Sequence, residues 1–206
     1  VKRMRQAMRA HLLRIRDVGF LPEAEFHGRS ENSSPYTMAH DPDQYPMEKI
    51  MDAAERASSL DPEAVPQLLG AMKDNDSAVR YWGAMGLLMR GKSAVDANKA
   101  ALCAVLNDSS PNVRVAAAWA LGEYGNDEDV DAAVATLFED ARNEERSGAV
   151  ALFSVYVLDN LQKQAGDRIT AAEIQDIQDW NKGKPGRVRS YVPRVTEKIL
   201  SDLKGG

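Results

Sequence analysis

The sequence predicts an all-α protein: a short right-handed α-α superhelix of stacked helical hairpins, preceded by an N-terminal helix and a long strap. Apolar residues recur three and four positions apart along nearly the whole chain, which is the spacing of helices that bury one face. Alanine and leucine, which favour helix, dominate the apolar residues. Strand patterns are almost missing, and the one short candidate strand covers residues 188–192.

The bulk properties exclude several classes of protein. The 206 residues are 44% hydrophobic and 28% charged, an ordinary soluble composition in a chain long enough to bury a core. No run of eighteen apolar residues predicts a membrane span. Cys103 is the single cysteine, so no internal disulfide can form. The chain begins with Val1 and has no apolar leader, so we expect a processed start or an excised fragment.

Residues 1–45 are predicted to form an N-terminal helix followed by the strap. The helix covers residues 2–16, because four apolar residues fall on one stripe at helical spacing. That stripe consists of Met4, Met8, Leu12 and Ile15. Residues 17–45, which we call the strap, contain three prolines and predict an irregular segment, which at this length is often functional or docked on another surface.

Residues 46–166 are predicted to form the helical repeats and residues 167–206 a helical closure. Asp61 before Pro62 and Ser110 before Pro111 are helix-start signals, and Thr170 with Glu173 is a capping box. After a helix that opens at Pro46, the predicted helices are one from Pro62 through Met72, one from Val79 that stops at Gly91, Ala97–Leu106, one from Pro111 that ends at Gly125, Asp127–Ala141, Glu144–Leu161, one through Ile174 and Ile177, and one from Pro193 through Leu203.

An internal repeat of 34 residues is the strongest pattern in the chain. The matching pairs are Leu68 with Leu102, Met72 with Leu106, Asp74 with Asp108, Val79-Arg80 with Val113-Arg114, Leu87 with Leu121, and Gly91 with Gly125. A third copy is weaker, with Asp140 and Arg146 at the same separation of six. Such a period predicts a solenoid of helical hairpins. We expect each arginine to reach back to its own turn or to the aspartate of the adjacent repeat, which would give a charged ladder.

A turn aspartate followed by Val-Arg at the start of the second helix resembles the HEAT repeat, within the HEAT/armadillo-like solenoids. The resemblance covers residues 62–162. Tetratricopeptide repeats share the 34-residue period, but their Trp-Leu-Gly-Tyr signature is not present.

Three longer strings, at residues 11–25, 34–41 and 79–91, look like the C-terminal region of large bacterial sulfatases (arylsulfatase or N-sulfoglucosamine sulfohydrolase-like). In that family a HEAT-like tail follows an α/β catalytic domain of the alkaline-phosphatase type. The resemblance implies an upstream, calcium-dependent sulfatase and a periplasmic or extracellular location. It implies no cofactor in this chain.

No catalytic residue carries over from that family. The sulfatase nucleophile arises within a Cys/Ser-x-Pro-x-Arg motif, whereas Cys103 is followed by Ala-Val-Leu-Asn. Ser34-Pro35 and Ser110-Pro111 have the proline one residue too early. We therefore predict no catalytic, cofactor-binding or metal-binding residues, and expect Cys103 to be a small buried core residue.

Two basic clusters are candidates for binding. The first helix carries six cations and no acid; because the rest of the chain is acidic and no aromatic residues alternate with the arginines, we favour docking on the solenoid or on a missing domain over nucleic-acid binding. A later cluster sits in a Gly-Pro loop and could contact a sulfated or phosphorylated polyanion, although a solvated linker is the simpler interpretation. Its residues are Lys182, Lys184, Arg187 and Arg189.

Two further patterns have a structural interpretation. His27 and His40 stand among carboxylates but lack the close spacing of a zinc site. Trp82, Trp119 and Phe153 fall in successive second helices and are predicted to pack in the core.

The predicted function is a non-catalytic C-terminal domain of a larger sulfatase that packs on, or rims, the catalytic domain. The alternative is a stand-alone HEAT-repeat scaffold for protein-protein interaction; an enzyme in its own right is a third and weaker interpretation. The expected partner is thus the intramolecular catalytic domain or another protein, with no nucleic acid and no membrane.

Overall fold

The computed structural model describes residues 2–145 and 147–205, and within them the protein is all helical. The α-helices are α1 (Lys2–Ile15), α2 (Glu23–Arg29), α3 (Pro35–His40), α4 (Met47–Ser58), α5 (Val65–Ala71), α6 (Ser77–Met89), α7 (Lys92–Ala97), α8 (Lys99–Val105), α9 (Pro111–Tyr124), α10 (Asp127–Asp140), α11 (Ala149–Ala165), α12 (Ala171–Asn181) and α13 (Val192–Gly205).

The helices stack as a HEAT-like solenoid, which confirms the predicted fold class. Hairpins pair α5 with α6, α8 with α9, α10 with α11, and α12 with α13. The second helices then pack in series, with α4 against α6, α6 against α9, α9 against α11 and α11 against α13. Leu68, Leu87, Leu102 and Leu121, which the 34-residue offset relates in pairs, are all fully buried in one continuous core.

The strap is more regular than predicted, because it contains α2 and α3. Ser34 caps α3 by accepting a hydrogen bond from the Thr37 amide at 3.0 Å, and Pro35 occupies the first turn. The strap has a core of its own, which includes Leu21, Met38 and the fully buried Tyr45 and which packs against α4 and the start of α6. Proline content alone therefore gave the wrong prediction for this segment.

Three further boundaries differ from the prediction. The helix expected at residues 97–106 begins at Lys99. A short helix that was not predicted, α7, precedes it and ends where the Asn98 side chain donates to the carbonyl of Ala94 at 2.8 Å. The helix expected from Glu144 begins at Ala149, after a turn in which Glu145 accepts from the Ser147 amide. The candidate strand at 188–192 is a 3₁₀ turn, Val188–Tyr191, that leads directly into α13.

The predicted charged ladder is present. Arg80 donates to both carboxylate oxygens of Asp108 at 2.7 Å and also to the carbonyl of Asp74 in its own turn. Arg114 repeats both contacts, with Asp140 and with the carbonyl of Asp108. The arginine thus uses both of the partners that the sequence predicted as alternatives. Arg146, the predicted third arginine, lies outside the described residues.

Candidate functional site

The inner face of α1 attaches this helix to the rest of the protein. Arg9 donates to three carboxylates on α4: to Glu48 at 3.4 Å, to Asp52 at 2.7 Å and to Glu55 at 2.5 Å. Leu12, on the same side of the helix, is half-buried against the core of the strap. These contacts fix the side of α1 that faces the solenoid.

The apolar stripe of α1 points away from the solenoid. The side chains of Met4, Met8 and Ile15 are 76%, 60% and 48% exposed. Leu12, at the inner edge of the same stripe, is half-buried against the core of the strap, so only part of the predicted stripe is exposed. Docking on the solenoid, one of the two expected surfaces, is therefore limited to Leu12 and to the expected pairing of an arginine with acids. Met4, Met8 and Ile15 stay open to another surface.

The exposed strip is bordered by cations. Lys2, Arg3 and Arg5 are exposed and form no ion pair with any residue that the structure describes. Arg14 contacts the ring of His11 at 2.9 Å on the same helix. An apolar strip with unpaired positive charge beside it suits an acidic protein surface, because the attraction adds to the burial of the methionines.

Arg29 of the strap forms a largely buried ion pair beside the charged ladder, at a position two residues after the first ladder aspartate, Asp74. It donates to both carboxylate oxygens of Asp76, at 2.8 and 3.0 Å, and to Glu25 at 3.1 Å. Burial alone would raise the pKa of Asp76, but the hydrogen bonds and charge of Arg29 outweigh it and hold that pKa below its ordinary value. Arg29 lies outside the 34-residue repeat, so no spacing could have indicated it.

A large groove lies where α2 faces the first turns of the second helices. It has a volume of about 1170 Å³, and its lining includes Arg29, Arg80, Ser110, Glu145 and Arg187. Ser110 at the start of α9 donates to Glu25 on α2 at 2.8 Å, across the floor of the groove. The groove is thus walled by the strap on one side and by repeat turns on the other.

The four cations predicted to contact a polyanion do not act together. Arg189 is 2% exposed, and its guanidinium donates to the carbonyls of Asn143 and Glu145 and to the Asn181 side chain. It anchors the C-terminal closure and is not accessible to a surface ligand, which corrects that part of the prediction. Lys184 lies over the Trp180 ring, 3.2 Å from its centroid, and pairs with Glu144.

The two remaining cations of this loop are exposed, and Arg187 lines the groove. Their contact with a polyanion stays a prediction.

The histidines of the strap are used locally. His27 lies 3.5 Å from Glu23 on the same helix, and the His40 ring contacts the carbonyl of Tyr36. Within the described residues, no three metal-binding side chains come together. Cys103 is only half-buried, which departs from the predicted core position, and burial raises the pKa of its thiol above the ordinary value.

The aromatic residues of the second helices pack against the core, as predicted, but each remains partly exposed. Trp82 donates to the carbonyl of Phe20 at 2.8 Å and so holds the strap. Trp119 and Phe153 meet edge to face with ring centroids 6.2 Å apart. None of the described helices is both long and apolar enough to cross a bilayer.

Comparison with known proteins agrees with this architecture. Residues 91–153 match the family described as HEAT repeats, a range that runs from the end of the first hairpin into α11. No curated protein matches the chain. The family match supports a HEAT-repeat domain, a class that is typically non-catalytic and generally mediates protein-protein interaction.

Proposed function

We propose that the chain is a non-catalytic HEAT-type domain that binds an acidic protein surface through the outer side of α1. The observation that carries this proposal is the exposed strip of Met4, Met8 and Ile15, beside cations that form no ion pair with a described residue. Contiguous exposed apolar side chains of this kind are uncommon on a surface that stays in water, and they favour a covering partner.

We further propose that the covering surface is the catalytic domain of a sulfatase in the same polypeptide. This finer part rests only on the resemblance of residues 11–25, 34–41 and 79–91. The strip lies at the N-terminal end of the chain, where it could pack directly on a preceding domain. In that arrangement the calcium site and the nucleophile belong to the preceding domain, and the solenoid would support or rim its cleft.

The first test reads the coding sequence upstream of Val1. An in-frame Cys/Ser-x-Pro-x-Arg motif supports the sulfatase parent, and an upstream sequence without it overturns that part. The full polypeptide is then compared with the isolated chain by hydrogen exchange. We expect amides of residues 2–16 to exchange at least tenfold more slowly in the full polypeptide, while α13 stays unchanged.

A matched pair of variants separates docking from general stability. In the full polypeptide, M4S/M8S should restore fast exchange in α1, whereas M89S, which alters an exposed methionine on α6, should leave it unchanged. Equal exchange of α1 in the isolated chain and in the full polypeptide would overturn the docking proposal, whatever the upstream domain is.

The second candidate function is a stand-alone scaffold that captures another protein, and the open groove between the strap and the repeat turns favours it. A start codon immediately before Val1 would make this the leading function.

A further inference from the structure

The segment that joins α12 to α13 carries a concentrated positive charge. Residues 180–194, which we call the closure loop, contain five cations and no acidic residue, although the whole chain has a net charge of −5. The ends of the closure loop meet, because the Gln178 side chain donates to the Thr196 hydroxyl at 3.0 Å and to the carbonyl of Pro193 at 3.4 Å. The positive charge is therefore gathered on one short, closed loop.

Interior contacts hold the closure loop against the solenoid. The buried guanidinium of Arg189 donates to the carbonyls of Asn143 and Glu145, and the Trp180 ring donates through Nε1 to the carbonyl of Arg142 at 2.8 Å. A solvated linker would have no such anchors. Because the loop is already ordered by these contacts, it loses little conformational freedom when a ligand binds.

Three cations of the closure loop are available to a ligand. Lys182, Arg187 and Arg194 are exposed and form no ion pair with any residue that the structure describes. Arg194 is held beside the Tyr191 ring, with its guanidinium carbon 5.2 Å from the ring centroid. A guanidinium group pairs well with the oxygens of sulfate or phosphate, because two parallel hydrogen bonds can form. The loop therefore suits an oxyanion.

The aromatic rings of the closure loop argue against a nucleic acid. The ammonium of Lys184 covers one face of Trp180, and the guanidinium of Arg194 lies over the Tyr191 ring. Single-stranded nucleic acids are held largely by bases that stack on open aromatic faces. Neither of the two valines of the loop is exposed for insertion into a membrane surface. The loop thus offers charge without open stacking faces or an apolar anchor.

Acidic residues border the closure loop and discriminate between kinds of polyanion. Asp179 precedes the loop, Glu197 lies one turn after Arg194, and Glu144 pairs with Lys184. A chain with a charge on every unit, such as polyphosphate, would lie against these carboxylates as well as against the cations. A sulfated polysaccharide separates its sulfates by sugar hydroxyls, which can donate hydrogen bonds to carboxylates. Cations bordered by acids therefore fit the polysaccharide better.

We propose that the closure loop binds a sulfated polysaccharide. Arg187 and Arg194 pair with sulfate groups, Lys182 adds to the attraction, and sugar hydroxyls between the sulfates meet the bordering carboxylates. This surface shares no residue with the docking strip on α1, so the two proposals stand or fail separately. It also requires no sulfatase upstream of the chain.

The test compares sulfated dextran with unsulfated dextran of the same length, with polyphosphate and with an oligothymidylate, by isothermal titration calorimetry at low ionic strength. We expect the sulfated dextran to bind and the unsulfated one not to bind. Polyphosphate and the oligonucleotide, at equal total charge, should bind at least tenfold more weakly. Absence of binding by sulfated dextran, or equal binding of either other polyanion, would overturn the proposal.

A matched pair of double variants locates the site. R187A/R194A and the control R3A/R5A each remove two exposed arginines that form no ion pair with a described residue, so both should keep the wild-type Tm. The two variants change the net charge of the chain equally. R187A/R194A should bind sulfated dextran at least tenfold more weakly, and R3A/R5A less than twofold more weakly. Equal losses in the two variants, or wild-type affinity in R187A/R194A, would refute the assignment.

Discussion

Asp108 shows how one side chain joins two hairpins. It accepts two hydrogen bonds from Arg80 of the preceding repeat and a third from the Ser110 amide in its own turn. Both members of the pair are largely buried. Without the Asp108 carboxylate, the guanidinium of Arg80 would lose its partner in a place where little water can take over its hydrogen bonds. Such a loss lowers stability far more than the loss of a surface ion pair.

We therefore predict that D108A lowers the free energy of unfolding by about 3 kcal/mol. The control is D96A, which removes an exposed pair with Lys92 and should cost only about 0.5 kcal/mol. Urea denaturation followed by circular dichroism measures both. Equal losses in the two variants would show that the ladder contributes no more than a surface ion pair.

Asp108 of the ladder and the neighbouring Asp76 also predict a dependence on pH, whereas at Asp140 burial outweighs Arg114 and raises the pKa. Burial alone would raise the pKa of Asp108, but hydrogen bonds from Arg80 and the Ser110 amide outweigh it and hold that pKa below its ordinary value, as Arg29 does for Asp76. A lowered folded pKa stabilises the protein above the unfolded pKa of about 3.9, and this contribution is lost as the pH falls through the folded value. The free energy of unfolding should thus drop steeply below about pH 4.

The double variant D76N/D108N isolates this effect. It should be less stable than the wild type at pH 7, and its stability should change less between pH 5 and pH 3. Urea titrations at several pH values measure the slope. A slope equal to that of the wild type would assign the acid sensitivity to other carboxylates.

The residues that the sequence could identify are those that repeat. The aspartates and arginines of the ladder and the buried leucines follow from one offset of 34 residues. Arg29 could not be found in this way, because it occurs once and its role depends on which segments meet in space. A position just after a Gly-Pro loop predicts that Arg189 is exposed, whereas its guanidinium donates to two backbone carbonyls in the interior.

At the scale of elements, Gly148 fixes where the closure meets the solenoid. It precedes α11 with a φ of 70°, and an added Cβ would lie 2.4 Å from the Cβ and 2.7 Å from the Cα of Arg189. Only glycine accepts both this backbone conformation and this close approach without strain. The late start of α11 follows from this turn, which helix periodicity does not reveal.

We predict that G148A destabilises the protein by about 3 kcal/mol, from backbone strain and from the clash with Arg189 together. G183A is the control, since Gly183 also has a positive φ, 75°, but nothing lies within 4 Å of an added Cβ. It should cost about 1 kcal/mol. Thermal unfolding of the two variants separates backbone strain from the clash with Arg189. Equal Tm values would show that the clash adds nothing to the loss of stability.

Element boundaries were harder to predict than element types. The 3.6-residue spacing identified most helices of the solenoid but missed the short α7, which ends where the Asn98 side chain donates to the carbonyl of Ala94. In the strap, prolines suggested irregular chain, although Pro35 occupies the first turn of a helix capped by Ser34. Hydrogen bonds between polar side chains and nearby backbone groups determine where these helices begin and end, and the spacing of apolar residues does not reveal them.

At the scale of the whole molecule, the strap and the solenoid are joined chiefly through Arg29, Trp82 and the core around Tyr45. We predict that R29A loosens the strap selectively, because the buried Asp76 then loses its partner. Hydrogen exchange of residues 23–40 should become at least tenfold faster, while α9 to α13 remain protected. K49A, which removes a half-exposed partner of Asp74, is the control and should change little.

If R29A instead accelerated exchange uniformly, the strap and the solenoid would form one cooperative unit.

The two ion pairs at the first turn also close that end of the ladder. Asp74 holds the position that Asp108 and Asp140 hold in later turns, and there Lys49 of α4 takes the place of the preceding arginine, 2.7 Å from the carboxylate. Arg29 of the strap pairs with Asp76 beside it. A second molecule that stacked on this end would have to displace both cations, so the two contacts oppose head-to-tail polymerisation.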